Sequence, residues 1–330
     1  MNLTFALVSC TLVLAADPPP TDDQVRSTIE RSIPFVLAEG QRWIDEKKCV
    51  TCHQVPFMVW SLNAAADKGL AMDRQKMADC GEWATNWRNM ATKEDLEKGE
   101  QPTLARHSDP VAQLLLGRSV RDRDTSAAWA ALFAERLAAG QQDDGSWKAG
   151  GQLPGQKRPE RETHEVTTLW ALLAMHSYGT PDDSLQARFA NARSWLGTET
   201  QGQSTEWWAA RLLVERAFGN TDAADRARDT LLNFQRADGG WGWLTVDESD
   251  AFGTGLALYA LSRDGLSSNH TPIALARQFL IQSQKSDGSW PVKGTKKNKA
   301  AQLEPTSIYW GTCWAIIGLV ETLPKQQPAE

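Results

Sequence analysis

Cysteine and histidine are scarce in this chain of 330 residues, with five of each, and tyrosine is scarcer still at three. Five cysteines exclude a disulfide-dense scaffold, so the fold must rest on an apolar core. Basic charge is short too: 35 Lys and Arg stand against 41 Asp and Glu, a net charge of -6. That balance argues against a nucleic-acid partner, and the one basic run, Lys293–Lys299, reads as a solvated loop. Beyond Ala16 no apolar run reaches bilayer length, so no integral membrane protein is expected after removal of the N-terminal segment. Tryptophan is what the chain has in excess, at 15 residues. Such a density points to aromatic packing or an aromatic-lined bore.

Leu3–Ala16 is nearly unbroken apolar sequence, too short to span a bilayer, with small residues near Ala15 where a signal peptidase cuts. Residues 1–16 read as a secretory signal peptide and 17–22 as a linker. The expected location is exported and periplasmic. A signal anchor remains open, as does a lipid anchor on Cys10 in Leu7-Val8-Ser9-Cys10.

Three copies of one turn organise the remainder: QQDDGSW at Gln141–Trp147, QRADGGW at Gln235–Trp241 and QKSDGSW at Gln284–Trp290. Each leads into an apolar helical stretch, so the unit is an outer helix, a turn and a buried inner helix. Read with this grammar, six helix pairs follow one another over 23–323. They begin with 28–47 and 55–66, then Met72–Met90 and Leu104–Val120, with Asp109 at the second inner helix's cap. The last pairs are 222–235 with 250–262, and 272–284 with 305–322. Residues 324–330 form a tail. No strand alternation of comparable length interrupts the series. The fold class is all-α: an (α/α)6 toroid of six helical hairpins.

In the first pair the Gly-x-Trp turn gives way to Cys49-Val50-Thr51-Cys52-His53. Two cysteines and a histidine at this spacing suit covalent addition to haem vinyl groups, with His53 as the proximal iron ligand. Export agrees with such attachment. The same residues leave open a Cys49–Cys52 disulfide, or zinc held together with Cys80 and Cys313.

The Gln-x-x-Asp-Gly-x-Trp turns and their helices resemble the repeat of squalene-hopene cyclases and protein prenyltransferases. That resemblance implies a toroid around a central cavity that could take a hydrophobic small molecule. The stretch Lys48–Phe57 together with Tyr309–Leu319 further resembles exported cytochrome-c-domain relatives of these cyclases in planctomycete-type bacteria. Two departures bear on activity. No Asp-x-Asp-Asp acid motif occurs, which argues against cyclase activity and leaves enzyme status open. The prenyltransferase zinc set is not reproduced either, since Asp79 and Cys80 are adjacent and no late helix supplies the histidine.

All outer-to-inner loops of a toroid open on one rim, which gathers His53, His107, His164 and the Asp247 loop. The cofactor-binding set is then Cys49, Cys52 and His53 for haem c, with His164 as distal ligand and His107 behind it. Glu162 and Glu165 are expected to orient the His164 ring. Trp60, Trp170, Trp207, Tyr259, Trp310 and Trp314 are the aromatics that either line the bore or, the more ordinary role for each, pack as core. Three functions fit: a c-type haem protein that transfers electrons to a redox partner or senses a ligand, a terpenoid cyclase or isoprenoid binder, and a toroid that binds a protein or polysaccharide.

Overall fold

The structure is a computed structural model that describes residues 18–50, 54–91, 93–98, 107–119, 127–151, 153–179, 183–197 and 201–324. The signal segment, Cys52 and His53 lie outside the described residues. Six hairpins follow in order. They are α1 Asp22–Lys47 with α2 Val55–Asp67, α3 Arg74–Thr85 with α5 Ser108–Leu116, and α6 Ala128–Ala139 with α7 Glu160–Tyr178. Next come α8 Asp183–Leu196 with α9 Thr205–Ala217, α10 Thr221–Asn233 with α11 Ala251–Arg263, and α12 Thr271–Ser283 with α13 Pro305–Glu321. A short helix, α4 Lys93–Lys98, lies in the second connection. No strand forms among the described residues, where isolated bridges are the only β pairing. The chain is an (α/α)6 toroid.

Burial separates the two layers as the sequence pattern requires. The outer helix α10 buries only Ala224, Ala227 and Leu231, a single stripe at helical spacing. The inner helix α11 buries every residue from Ala251 to Leu261, because it has outer helices behind it and the bore in front. Each inner helix packs on its neighbours in turn, α2 on α5, α5 on α7, α7 on α9, α9 on α11 and α11 on α13. The contact of α13 with α2 closes the ring. The first helix is set by a capping box, in which Thr21 and Gln24 satisfy each other's backbone N–H groups.

The repeated turn divides its labour between two residues. Trp147, Trp241 and Trp290 each donate Nε1–H at 2.7 Å to a carbonyl ten residues earlier, on Leu137, Leu231 and Leu280 of their own outer helices. Their backbone N–H groups donate to Thr168, Thr254 and Thr312 on the inner helix that follows. Through these bonds the tryptophans clamp a hairpin internally rather than tie it to its neighbour. The glutamines make that tie. Gln141, Gln235 and Gln284 donate from Nε2 to the carbonyls of Arg188, Pro272 and Thr28 on the next outer helix. Gly145 has φ 92°, and a Cβ there would stand 2.6 Å from the Asn191 carbonyl oxygen, so only glycine admits this approach.

Two further expectations change. Helix α5 begins at Ser108 with His107 as its N-cap, so Asp109 lies inside the first turn. At the bore the aromatics take the packing alternative and form a plug. Trp60 stands 5.3 Å from Trp314, 5.6 Å from Tyr259 and 6.1 Å from Trp170 between ring centroids, mostly edge to face. Trp207 is not among them, because it faces Trp208 at 4.8 Å and donates to Glu165.

Candidate functional site

Cys49 sits at the joint between α1 and α2. Lys48 ends α1 in the left-handed region, at φ 53°, and turns the chain toward the rim. The Cys49 carbonyl then accepts a 3.1 Å bond from Trp43 Nε1, and Val50 N–H donates to Asn89 O at 2.9 Å. The backbone is thus held on both sides of a half-buried free thiol, whose pKa is raised chiefly by burial. Gln54 follows directly at the N-cap of α2, and its Oε1 is buried with no hydrogen-bond partner among the described residues.

Cys80 and Cys313 have a different character. Cys313 is fully buried on α13 with hydrogen bonds to Ser61 and Tyr309, and burial pushes its thiol up to about 12. Such a thiol stays protonated and packs as a small apolar group. No cluster of three or more metal-ligating side chains occurs among the described residues.

The two rim histidines occupy different hairpins. His107 precedes α5, whose inner neighbour is α2, so it lies in the hairpin next to Cys49. His164 lies in the first turns of α7, one hairpin further on. Its Nδ1 accepts from the Ala149 N–H at 3.0 Å, and its Nε2 stands 3.8 Å from Glu160 Oε1. Glu162 and Glu165 do not orient this ring. Glu162 accepts from the backbone N–H groups of Gln203 and Ser204, and Glu165 accepts from Arg161 and Trp207. Both carboxylates fasten the third hairpin to the fourth.

A second group of polar residues, absent from the sequence reading, meets at the mouth of the aromatic plug. Arg158 and Glu206, both almost fully buried, pair at 2.7 Å, and Trp170 Nε1 donates to the other Glu206 oxygen at 3.2 Å. Arg158 also reaches Thr163 and Ser204. Asp109 accepts from Thr167 Oγ1 at 2.8 Å and from the Gly150 backbone, and burial raises its pKa to about 6. The signal that marks it in the sequence is an acidic residue followed by Pro110 at a helix start, which is also what an ordinary cap looks like. The neighbouring acidic loop does behave as an ordinary cap. Asp250 accepts from Gly253 N–H and Trp243 N–H, and Asp247 pairs with Lys157 at 2.6 Å.

The space left between this group and the plug is a cavity of about 10 Å³, bounded by Phe57, Trp60, Asp109, Gln113, Leu153 and Trp314 among others. That is room for one water at most. An isoprenoid does not fit in that cavity.

No family model matches the chain. A drimenyl diphosphate synthase from Streptantibioticus cattleyicolor is 39% identical over 77 residues, a stretch that covers 23% of this chain and 14% of that protein. A possible member of the GH105 family from Klebsiella pneumoniae superposes with a TM-score of 0.61 at 13% identity, covering 97% of this chain and 98% of its own. An unsaturated glucuronyl hydrolase from Bacillus sp. GL1 gives 0.54 at 13% identity, over 89% of this chain and 96% of its own. A type II terpene cyclase from Scytonema, solved with geranylgeranyl dihydroxybenzoate, gives 0.55 at 13% identity, over 91% and 98%. At such identities the likeness carries the fold alone. The toroid is an architecture that this chain has in common with terpene cyclases and with glycoside hydrolases.

Proposed function

We propose that this chain is an exported c-type haem protein in which a cyclase-like toroid carries one haem at its rim. The observation that supports it most is the Cys49 joint, where Cys-x-x-Cys-His replaces the turn that three other hairpins build around tryptophan. Cys49 offers a thiol on a backbone held by Trp43 and Asn89, whereas Cys80 and Cys313 are buried. Cys49 and Cys52 would hold the group through thioethers and His53 would be the proximal ligand. The unpaired Gln54 Oε1 next in sequence is a ready acceptor for an imidazole N–H, the kind of partner that fixes a ligand histidine's orientation. When bound, haem supplies one-electron transfer or ligand binding at iron.

The distal position belongs to the same proposal. His164 stays the first choice, and His107 gains weight from its place in the adjacent hairpin. A pyridine haemochrome spectrum of protein exported with the haem-attachment machinery tests the reading. A c-type spectrum in wild type that disappears when Cys49 and Cys52 are both serine supports it, and wild type without haem ends it. Low-spin ferric wild type that His164→Ala turns high spin assigns the distal ligand to His164. The same change in His107→Ala assigns it to His107.

The terpenoid reading draws on the stretch shared with the drimenyl diphosphate synthase. It requires Trp60, Trp170, Tyr259 and Trp314 to part and admit a substrate. Product analysis after incubation with isoprenoid diphosphates tests it independently of haem content.

A further inference from the structure

The mouth of the bore is unsatisfied as it stands. Gln113 lines the small cavity, is only 8% exposed, and its Oε1 is buried with no hydrogen-bond partner among the described residues. Buried polar atoms are nearly always paired, so an unpaired acceptor on this space calls for a donor. We infer that the mouth of the bore binds a monocationic head group, an ammonium ion or the end of a small primary amine, between Asp109, Gln113 and the rings of Trp60, Trp170 and Trp314.

Charge decides the class of ligand. Three ionisable groups bound the cavity: Asp109 from α5, Arg158 from the loop before α7, and Glu206 from α9. Arg158 pairs with Glu206 at 2.7 Å and acts on Asp109 only at longer range, and no salt bridge reaches the Asp109 carboxylate among the described residues. An anionic ligand would meet no available positive charge, whereas a monocation restores neutrality. The free amide oxygen of Gln113 adds an acceptor that asks for an N–H donor. Tryptophan rings around a desolvated cation add attraction through their quadrupoles. Size agrees as well, because a space of about 10 Å³ takes one water-sized group.

The site is linked to protons. Burial raises Asp109 the most, Glu206 adds to that, and Thr167, the Gly150 backbone and Arg158 oppose it. Only the ionised carboxylate neutralises the ligand, so binding and protonation of Asp109 compete.

The test is calorimetric titration of the full chain with methylammonium chloride at constant ionic strength, beside methanol as a neutral match in size. Saturable binding is expected above pH 7, weakening about tenfold for each pH unit below about 6. Asp109→Asn should abolish it, and Gln113→Met should weaken it at least about tenfold, the cost of one buried hydrogen bond to a charged group. Unchanged helical circular dichroism shows that both variants are folded. Methanol binding as well as methylammonium, no saturable binding, or full affinity in Asp109→Asn would each overturn the inference.

Discussion

Gln284 Nε2 donates at 2.9 Å to the carbonyl of Thr28, a residue 256 positions earlier, and this bond joins the last hairpin to the first. The same amide reaches Ser32 Oγ and Gly288 O, and its Oε1 accepts from Arg31 Nε at 2.9 Å. Gln141 and Gln235 make the corresponding bond between consecutive hairpins. One motif therefore serves propagation of the repeat and closure of the ring.

Gln284→Ala should destabilise the chain by about 1–3 kcal/mol, since it removes the bonds to Thr28 O, Ser32 Oγ and Gly288 O together. It should also loosen α1 preferentially, because the tie lost is the one that fastens the N-terminal helix. Hydrogen exchange checks this: the amides of α1 should lose protection ahead of those of α11. Uniform loss across the ring would show that closure is carried elsewhere.

Trp241 separates ring packing from its hydrogen bond. Trp241→Ala should cost about 3–5 kcal/mol for a fully buried ring. Trp241→Phe keeps most of the apolar area but gives up the bond to the Leu231 carbonyl, which still accepts from Phe234 N–H, at a cost of about 0.5–1.5 kcal/mol. Urea denaturation of both variants checks the order. Equal losses would mean that ring packing contributes nothing, and an unchanged Trp241→Phe that the indole N–H contributes nothing.

How legible these features were depended on how local their causes are. Three helix pairs announce themselves because their turns carry their own Asp, Gly and Trp, and the stripe on α10 against the wholly buried α11 is a periodicity. The division between Gln284 and Trp290 was not legible, because both sit in one heptapeptide and only three-dimensional packing shows which reaches the next helix. Asp109, Arg158 and Glu206 were missed for a related reason. They come from three separate elements, and no sequence spacing connects a residue at a helix start with a loop arginine 49 positions later.

Asp109 predicts a pH dependence of stability. Its carboxyl rises from 3.8 to about 6 on folding, so between those values the folded chain binds more protons than the unfolded one. Its contribution to stability is therefore fullest below about pH 4 and is lost as pH rises to about 6, by about 3 kcal/mol at most. Asp109→Asn keeps an acceptor for Thr167 and cannot ionise. The variant should lose less stability than wild type between pH 4 and pH 7 in chemical denaturation, and identical profiles would contradict the assignment.

The buried pair Arg158–Glu206 should respond asymmetrically. Arg158→Met or Glu206→Gln alone strands a buried group and should cost about 3–5 kcal/mol, whereas the double variant should recover a large part of that loss. Thermal unfolding of the two single variants and the double variant checks this. Additive losses would show that the two side chains act independently.

The central claim, haem carried at the Cys49 joint, is tested most directly by the intact mass of the chain after export with haem maturation. The account predicts a mass increased by one haem that survives acid extraction, is absent from the Cys49→Ser, Cys52→Ser double variant, and maps to the peptide containing both cysteines. An unmodified wild-type mass under those conditions would contradict it.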